Sequence, residues 1–183
     1  MRIPSSNTAI AALALALAGT LLAAWPLAAT QAPTSLVRIV REATRPYVDI
    51  SNAAPGGYGR FLGCVSSPEE GAMGVHYVNG PLVGDGQLDA ERPEALIYEF
   101  SNGRARLVGV EFIVDAAQWL AANKTPPVLE GQSFHYVGSP NRYGIPPFFE
   151  LHVWAWRDNP KGMFVDWNPR VSCEGRGSHE HGN

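Results

Sequence analysis

Ser101-Asn102-Gly103-Arg104 stands between two apolar runs, Ala95–Phe100 and Ala105–Val114, and no other stretch narrows the fold as far. Asn-Gly tolerates positive φ at both central positions of a two-residue type I′ turn, whose twist matches that of the strands it joins, so the segment predicts a β-hairpin. Such a turn also sets the register. Counting outward, Glu99 faces Arg106, Tyr98 faces Leu107, Ile97 faces Val108, Leu96 faces Gly109 and Glu94 faces Glu111. One face then carries Ile97, Val108, Val110, Phe112 and Val114 and is expected to meet the core.

A second strand is predicted over Phe148–Trp156, where Phe149, Leu151, Val153 and Ala155 alternate with Phe148, Glu150, His152, Trp154 and Trp156. Val75–Val78 and Phe134–Val137 are shorter strand candidates. Leu36, Ile39 and Val40 fall at helical spacing behind Thr34 or Ser35 as cap, predicting a helix over Ser35–Thr44 that Pro46 breaks. A brief helix is expected over Asp115–Ala122, and a glycine-rich turn over Gly57–Gly63. The whole reads as a single α+β domain, with the N-terminal helix packed on a curved, largely antiparallel sheet of about four to five strands.

The first residues speak to location. Arg2 precedes an Ala/Leu-rich run, Ala9–Ala24, then Pro26 and the small residues Ala28, Ala29 and Ala32, the layout of a secretory signal peptide. Alanine drives membrane insertion weakly, which favours cleavage over anchoring. The expected organisation is a cleaved signal peptide over residues 1–32, a globular domain over 33–174 and a disordered tail over 175–183. The protein is thus expected to be secreted or periplasmic, with no membrane association after cleavage. In that oxidising setting Cys64 and Cys173 are read as one disulfide.

A formal net charge of -3 and the lack of any Lys/Arg cluster argue against nucleic acid as a partner. No GxSxG, HExxH or Walker pattern occurs, so nothing supports nucleophilic hydrolysis or phosphoryl transfer. Asp85, Gln87, Asp89 and Glu91 alternate as in an EF-hand, but Ala90 stands where its glycine belongs and Leu96 where its bidentate glutamate belongs. That stretch reads as a solvated turn. His179-Glu180-His181 offers metal donors in a Gly/Ser-flanked tail.

The runs Met73-Gly74-Val75-His76-Tyr77, Leu107-Val108-Gly109-Val110-Glu111, Glu150-Leu151-His152-Val153-Trp154 and Asp166-Trp167-Asn168-Pro169 resemble segments of a family of uncharacterised exported bacterial proteins. The resemblance spans most of the chain beyond the leader and implies a bacterial secreted or periplasmic domain. It brings no activity with it.

Candidate chemistry lies on the hairpin face away from Val108 and Val110. Glu94 opposite Glu111 needs a proton, cation or basic side chain between them. Gly109 is expected to leave room beside Glu111, with Tyr98 and Trp154 lining the space. Glu150 and His152 on the late strand, and His76 on an earlier one, supply the complement. Two imidazoles and one or two carboxylates suit a divalent transition metal such as Zn, Mn or Fe, or a small polar ligand; the competing expectation for His76, Glu111, Glu150 and His152 is a buried hydrogen-bonded network. Glu99 is expected to pair with Arg106. The function expected from these readings is an exported, non-enzymatic binding or structural domain with a small-molecule or metal site. A metal-dependent enzyme using the same residues, and an envelope module that contacts a protein partner through exposed aromatics, are the alternatives.

Overall fold

The computed structural model describes residues 34–174. The expected signal peptide, the tail and His179-Glu180-His181 lie outside them. Helix α1 (Ser35–Thr44) opens under a Thr34 cap whose hydroxyl accepts from Val37 N–H, and it buries Leu36, Val37 and Val40. Two short 3₁₀ turns follow, Arg45–Val48 and Ile50–Asn52. Strands β1 (Gly59–Ser67) and β2 (Gly71–Val78) lead to α2 (Gly80–Asp85), then to the hairpin β3 (Ala95–Ser101) and β4 (Arg104–Asp115). Helix α3 (Ala116–Ala122), a small ladder of β5 (Val128–Leu129) with β6 (Gln132–Ser133), β7 (His135–Val137) and β8 (Phe148–Val153) complete the order.

The fold is α+β around a curled antiparallel sheet. That sheet has six strands in the order β1-β2-β3-β4-β8-β7, more than the four to five expected, because β1 occupies the region read as a glycine-rich turn. Helix placement also departs from expectation: α2 forms ahead of the Asp85–Glu91 stretch, with Asn79 accepting from Leu82 N–H and Gly86 closing it in the left-handed region. Among the described residues no helix is long and apolar enough to cross a membrane.

The Asn102-Gly103 turn adopts φ of 50° and 73°, as a type I′ turn requires. Near it the expected pairs hold, with Glu99 opposite Arg106 and Tyr98 opposite Leu107. One step further the register shifts: Ile97 faces Gly109, Leu96 faces Val110 and Ala95 faces Glu111. Val108 is the extra residue of a β-bulge, which two-residue counting does not foresee. The bulge splits the face predicted as uniform. Val110, Phe112 and Val114 join Leu96, Tyr98, Leu107 and the α1 side chains in the main core, while Ile97 and Val108 pack on the opposite face with Ala72, Trp154 and Val171. Gly109 is needed here, since a Cβ would stand 2.8 Å from the Val153 carbonyl oxygen.

Strand β8 sends Phe149, Leu151 and Val153 into the main core, with Ala155 following just beyond its end. Ladder pairing stops at Val153, and Trp156 does not continue the polar face. It folds back on the main core and donates from Nε1 to Thr44 Oγ1 at 3.0 Å. Cys64 and Cys173 are bonded, with Cα atoms 5.7 Å apart. Glu99, although opposite Arg106, is buried and accepts from Ser172 N–H at 3.1 Å, so its carboxylate fastens the C-terminal segment rather than forming the expected surface ion pair.

Candidate functional site

His76, Glu111, Glu150 and His152 converge on the face opposite α1. Register explains how. Glu111 on β4 is directly opposite His152 on β8, and Glu150 is opposite both Ile113 and His135 of β7. Opposed residues of an antiparallel pair share a face, so one face of β8 carries Glu150 and His152 beside Glu111. His76 comes from β2, beyond β3. On β3 between them, Ile97 stands opposite His76 and Ala95 stands opposite Glu111.

The donor atoms are close. His76 Nε2 lies 3.3 Å from Glu111 Oε2 and 3.4 Å from His152 Nε2. His152 Nδ1 lies 4.0 Å from Glu111 Oε1 and 3.6 Å from Asp166 Oδ1, and that same oxygen is 3.5 Å from His135 Nδ1. Two sets of possible ligands follow, His76–Glu111–His152 and Glu150–His152–Asp166, sharing His152, with the donor atoms of each set within 4.8 Å of one another.

All four predicted residues are buried, and burial sets their charge. Removal from water pushes the Glu111 carboxyl well above the usual carboxylate range, and Glu150 beside it pushes further. Glu150 is raised as well, chiefly by burial. Burial lowers His76 to about 4 and takes His152 well below the ordinary imidazole range, with His76 adding to the second shift. Burial thus disfavours the charged form of all four side chains. Even so, Glu150 Oε2, His152 Nδ1 and Asp166 Oδ1 are buried with no hydrogen-bond partner. Orphaned buried polar atoms are rare in folded proteins, and each calls for a partner such as water or an ion.

A cavity of about 530 Å³ opens onto this cluster, with His76 and Glu111 in its lining beside Phe61, Leu62, Val78, Val83, Ile113 and Phe148. The expected space beside Gly109 is not there. The Val153 carbonyl and the Trp154 ring already fill it, so Gly109 and Trp154 do not line the pocket. Trp154 instead stacks beside His152, ring centroids 6.2 Å apart, and donates from Nε1 to Val165 O at 2.5 Å. Tyr98 points to the other face of the sheet and donates to Tyr47 O at 2.7 Å, so it too is a core residue and not a pocket wall. Glu94 is not opposite Glu111; its Oε2 accepts from Ile113 N–H at 3.0 Å.

Asp166 and His135 escaped the sequence reading as site residues. Asp166 sits in irregular backbone, where no periodicity assigns a direction, and its only signal was its place in the Asp-Trp-Asn-Pro run. The turn there is held by Asn168, which exchanges backbone hydrogen bonds with Ala72 and accepts from Arg170 N–H on its side chain. No family model, no curated protein and no solved structure matches the chain.

Proposed function

We propose that this protein is an exported metal-binding domain in which His76, His152 and Glu111 hold one divalent transition ion, such as Zn, Mn or Fe, at the floor of an apolar pocket. One observation carries the reading. Two ligand nitrogens about 2.0–2.1 Å from a tetrahedral ion stand roughly 3.3–3.4 Å apart, and the His76 and His152 Nε2 atoms are 3.4 Å apart, with Glu111 Oε2 at 3.3 Å from the first. The three orphaned buried atoms belong to the adjoining set, Glu150–His152–Asp166. Asp166 supports the ion from behind: a proton on His152 Nδ1 directed at Asp166 presents the Nε2 lone pair to the metal. The Cys64–Cys173 bridge supports the exported setting, because such bonds persist in oxidising compartments.

Three protein ligands leave a coordination position open toward the pocket, the pattern of catalytic rather than structural zinc sites. That observation favours a second reading, a metal-dependent enzyme working at the same ion. Metal analysis of protein recovered from its native compartment tests the first. About one equivalent per chain is expected, lost in His76→Ala and His152→Ala. Protein that takes up none of Zn, Mn, Fe or Cu on equilibration overturns it.

A further inference from the structure

The pocket has a composition of its own. Its volume of about 530 Å³ suits a small organic molecule. Phe61, Leu62, Val78, Val83, Ile113 and Phe148 make its walls, while its polar floor is His76 and Glu111. The other two polar side chains in its lining are engaged: Arg60 Nε donates to Leu62 O at 3.3 Å, and the Tyr143 hydroxyl contacts Met73 Sδ at 3.5 Å. At the lip, Phe61 and Leu62 remain 37% and 49% exposed. Leu62 holds φ at 59°, a conformation uncommon outside glycine that collects at ligand sites, and it does so inside an irregular stretch of β1 that Cys64 ties to Cys173.

We propose that this pocket takes an apolar small molecule whose single polar end, an oxygen donor, coordinates the ion held by His76, His152 and Glu111. The inference rests on the metal reading above. With His76 and Glu111 both committed to the ion, the open coordination position is the polar contact left to an occupant's head. Imidazole and carboxylate ligands suit borderline and hard ions, which take oxygen readily. Apart from Arg60 and Tyr143, the rest of the molecule meets hydrocarbon.

The test uses the cobalt(II)-loaded protein and two hydroxamates with the same head, acetohydroxamate and octanohydroxamate. Both are expected to alter the visible absorption of bound cobalt. Octanohydroxamate is expected to bind at least about 30-fold more tightly, since each buried methylene adds roughly fourfold. Val83→Trp, which fills the pocket, is expected to erase that preference, with cobalt content measured in the same sample. Leu62→Asp, at a half-exposed position, is expected to cut it severalfold. Equal affinity for the two probes, or octanohydroxamate binding that leaves the cobalt spectrum unchanged, overturns the ligand class while the metal centre stands. Failure to bind cobalt overturns the centre and this proposal together.

Discussion

Glu111 on β4 and Glu150 on β8 project from the same face of the sheet, and the charge of Glu150 adds to burial in raising the Glu111 carboxyl. Two buried carboxylates on one face resist being charged together without a cation, so the metal-free pair holds a proton to higher pH than a free carboxyl does. An ion takes that proton's place. Metal binding should therefore release about one proton, and affinity should go on climbing as pH rises above the ordinary carboxyl value of 4.5. Calorimetry in buffers of different ionisation enthalpy measures the release; an enthalpy independent of buffer contradicts it. Glu111→Gln should weaken zinc binding by about 100-fold or more while leaving the metal-free fold at least as stable, because it removes the need for that proton.

In the proposed site Asp166 acts through His152. Replacing it with Asn keeps the shape but withdraws the anion that fixes the imidazole, so zinc affinity should fall by roughly 10- to 100-fold. Competition with a chromogenic chelator reads this directly. Unchanged affinity, or a stoichiometry of two ions per chain with one lost in the variant, would instead place Asp166 as a ligand of a second ion with Glu150 and His152.

Glu94 gives a pH dependence separate from the cluster. Burial raises its carboxyl from 4.5 to about 8, against the opposing hydrogen bond from Ile113 N–H. A raised folded-state value means the folded protein holds the proton more tightly than the unfolded chain. Its stabilising contribution is thus complete below pH 4.5 and is lost as pH rises through about 8. Metal-free protein unfolded in urea from pH 5 to 9 should lose stability with a Glu94 component approaching ~1.4 kcal/mol per pH unit. Glu94→Gln, whose amide oxygen still accepts from Ile113, should flatten the slope by that amount. Parallel curves would show that Glu94 titrates normally.

These groups also show where sequence pattern stops. The Asn102-Gly103 turn and the alternation of β8 revealed the hairpin, the strand and the residues that meet around Glu111. The bulge at Val108 did not emerge from counting, because the apolar Leu107, Val108 and Val110 satisfy either register. Gly109, a glycine inside a strand, was the signal for it. Its consequence was a wrong direction for Tyr98 and for the space beside Gly109. Asp166 and β1 were invisible for another reason: one lies in irregular backbone and the other is rich in glycine and mostly exposed, so neither follows a hydrophobic period.

The bridge between Cys64 and Cys173 spans a sequence separation of 109 residues. Replacing both cysteines with Ser should lower stability by about 5 kcal/mol in a chain-entropy account. Denaturant midpoints of the variant and the parent measure it, and non-reducing peptide maps should show one linked pair with no free thiol. A loss well under 1 kcal/mol would mean that Glu99 and the Ala72–Asn168 bridge already hold the C-terminal segment in place.

Export makes its own demand. The mature N-terminus should lie between Thr30 and Ser35, just ahead of α1, and intact-mass measurement of protein from the periplasm or medium locates it. An unprocessed chain retained with membranes would contradict release.

Strand β1 ends the sheet, and its outer row of backbone groups is a template on which another chain can build. Between Phe61 and Val65, however, residues 62–64 stand opposite Val75 alone. An arriving strand meets regular backbone only over Gly59–Phe61 or from Val65 onward, and neither piece is long enough to hold it. The distortion that sets Leu62 at the mouth of the pocket thus also blunts this border against strand-by-strand self-association, and straightening it would expose the protein to that hazard.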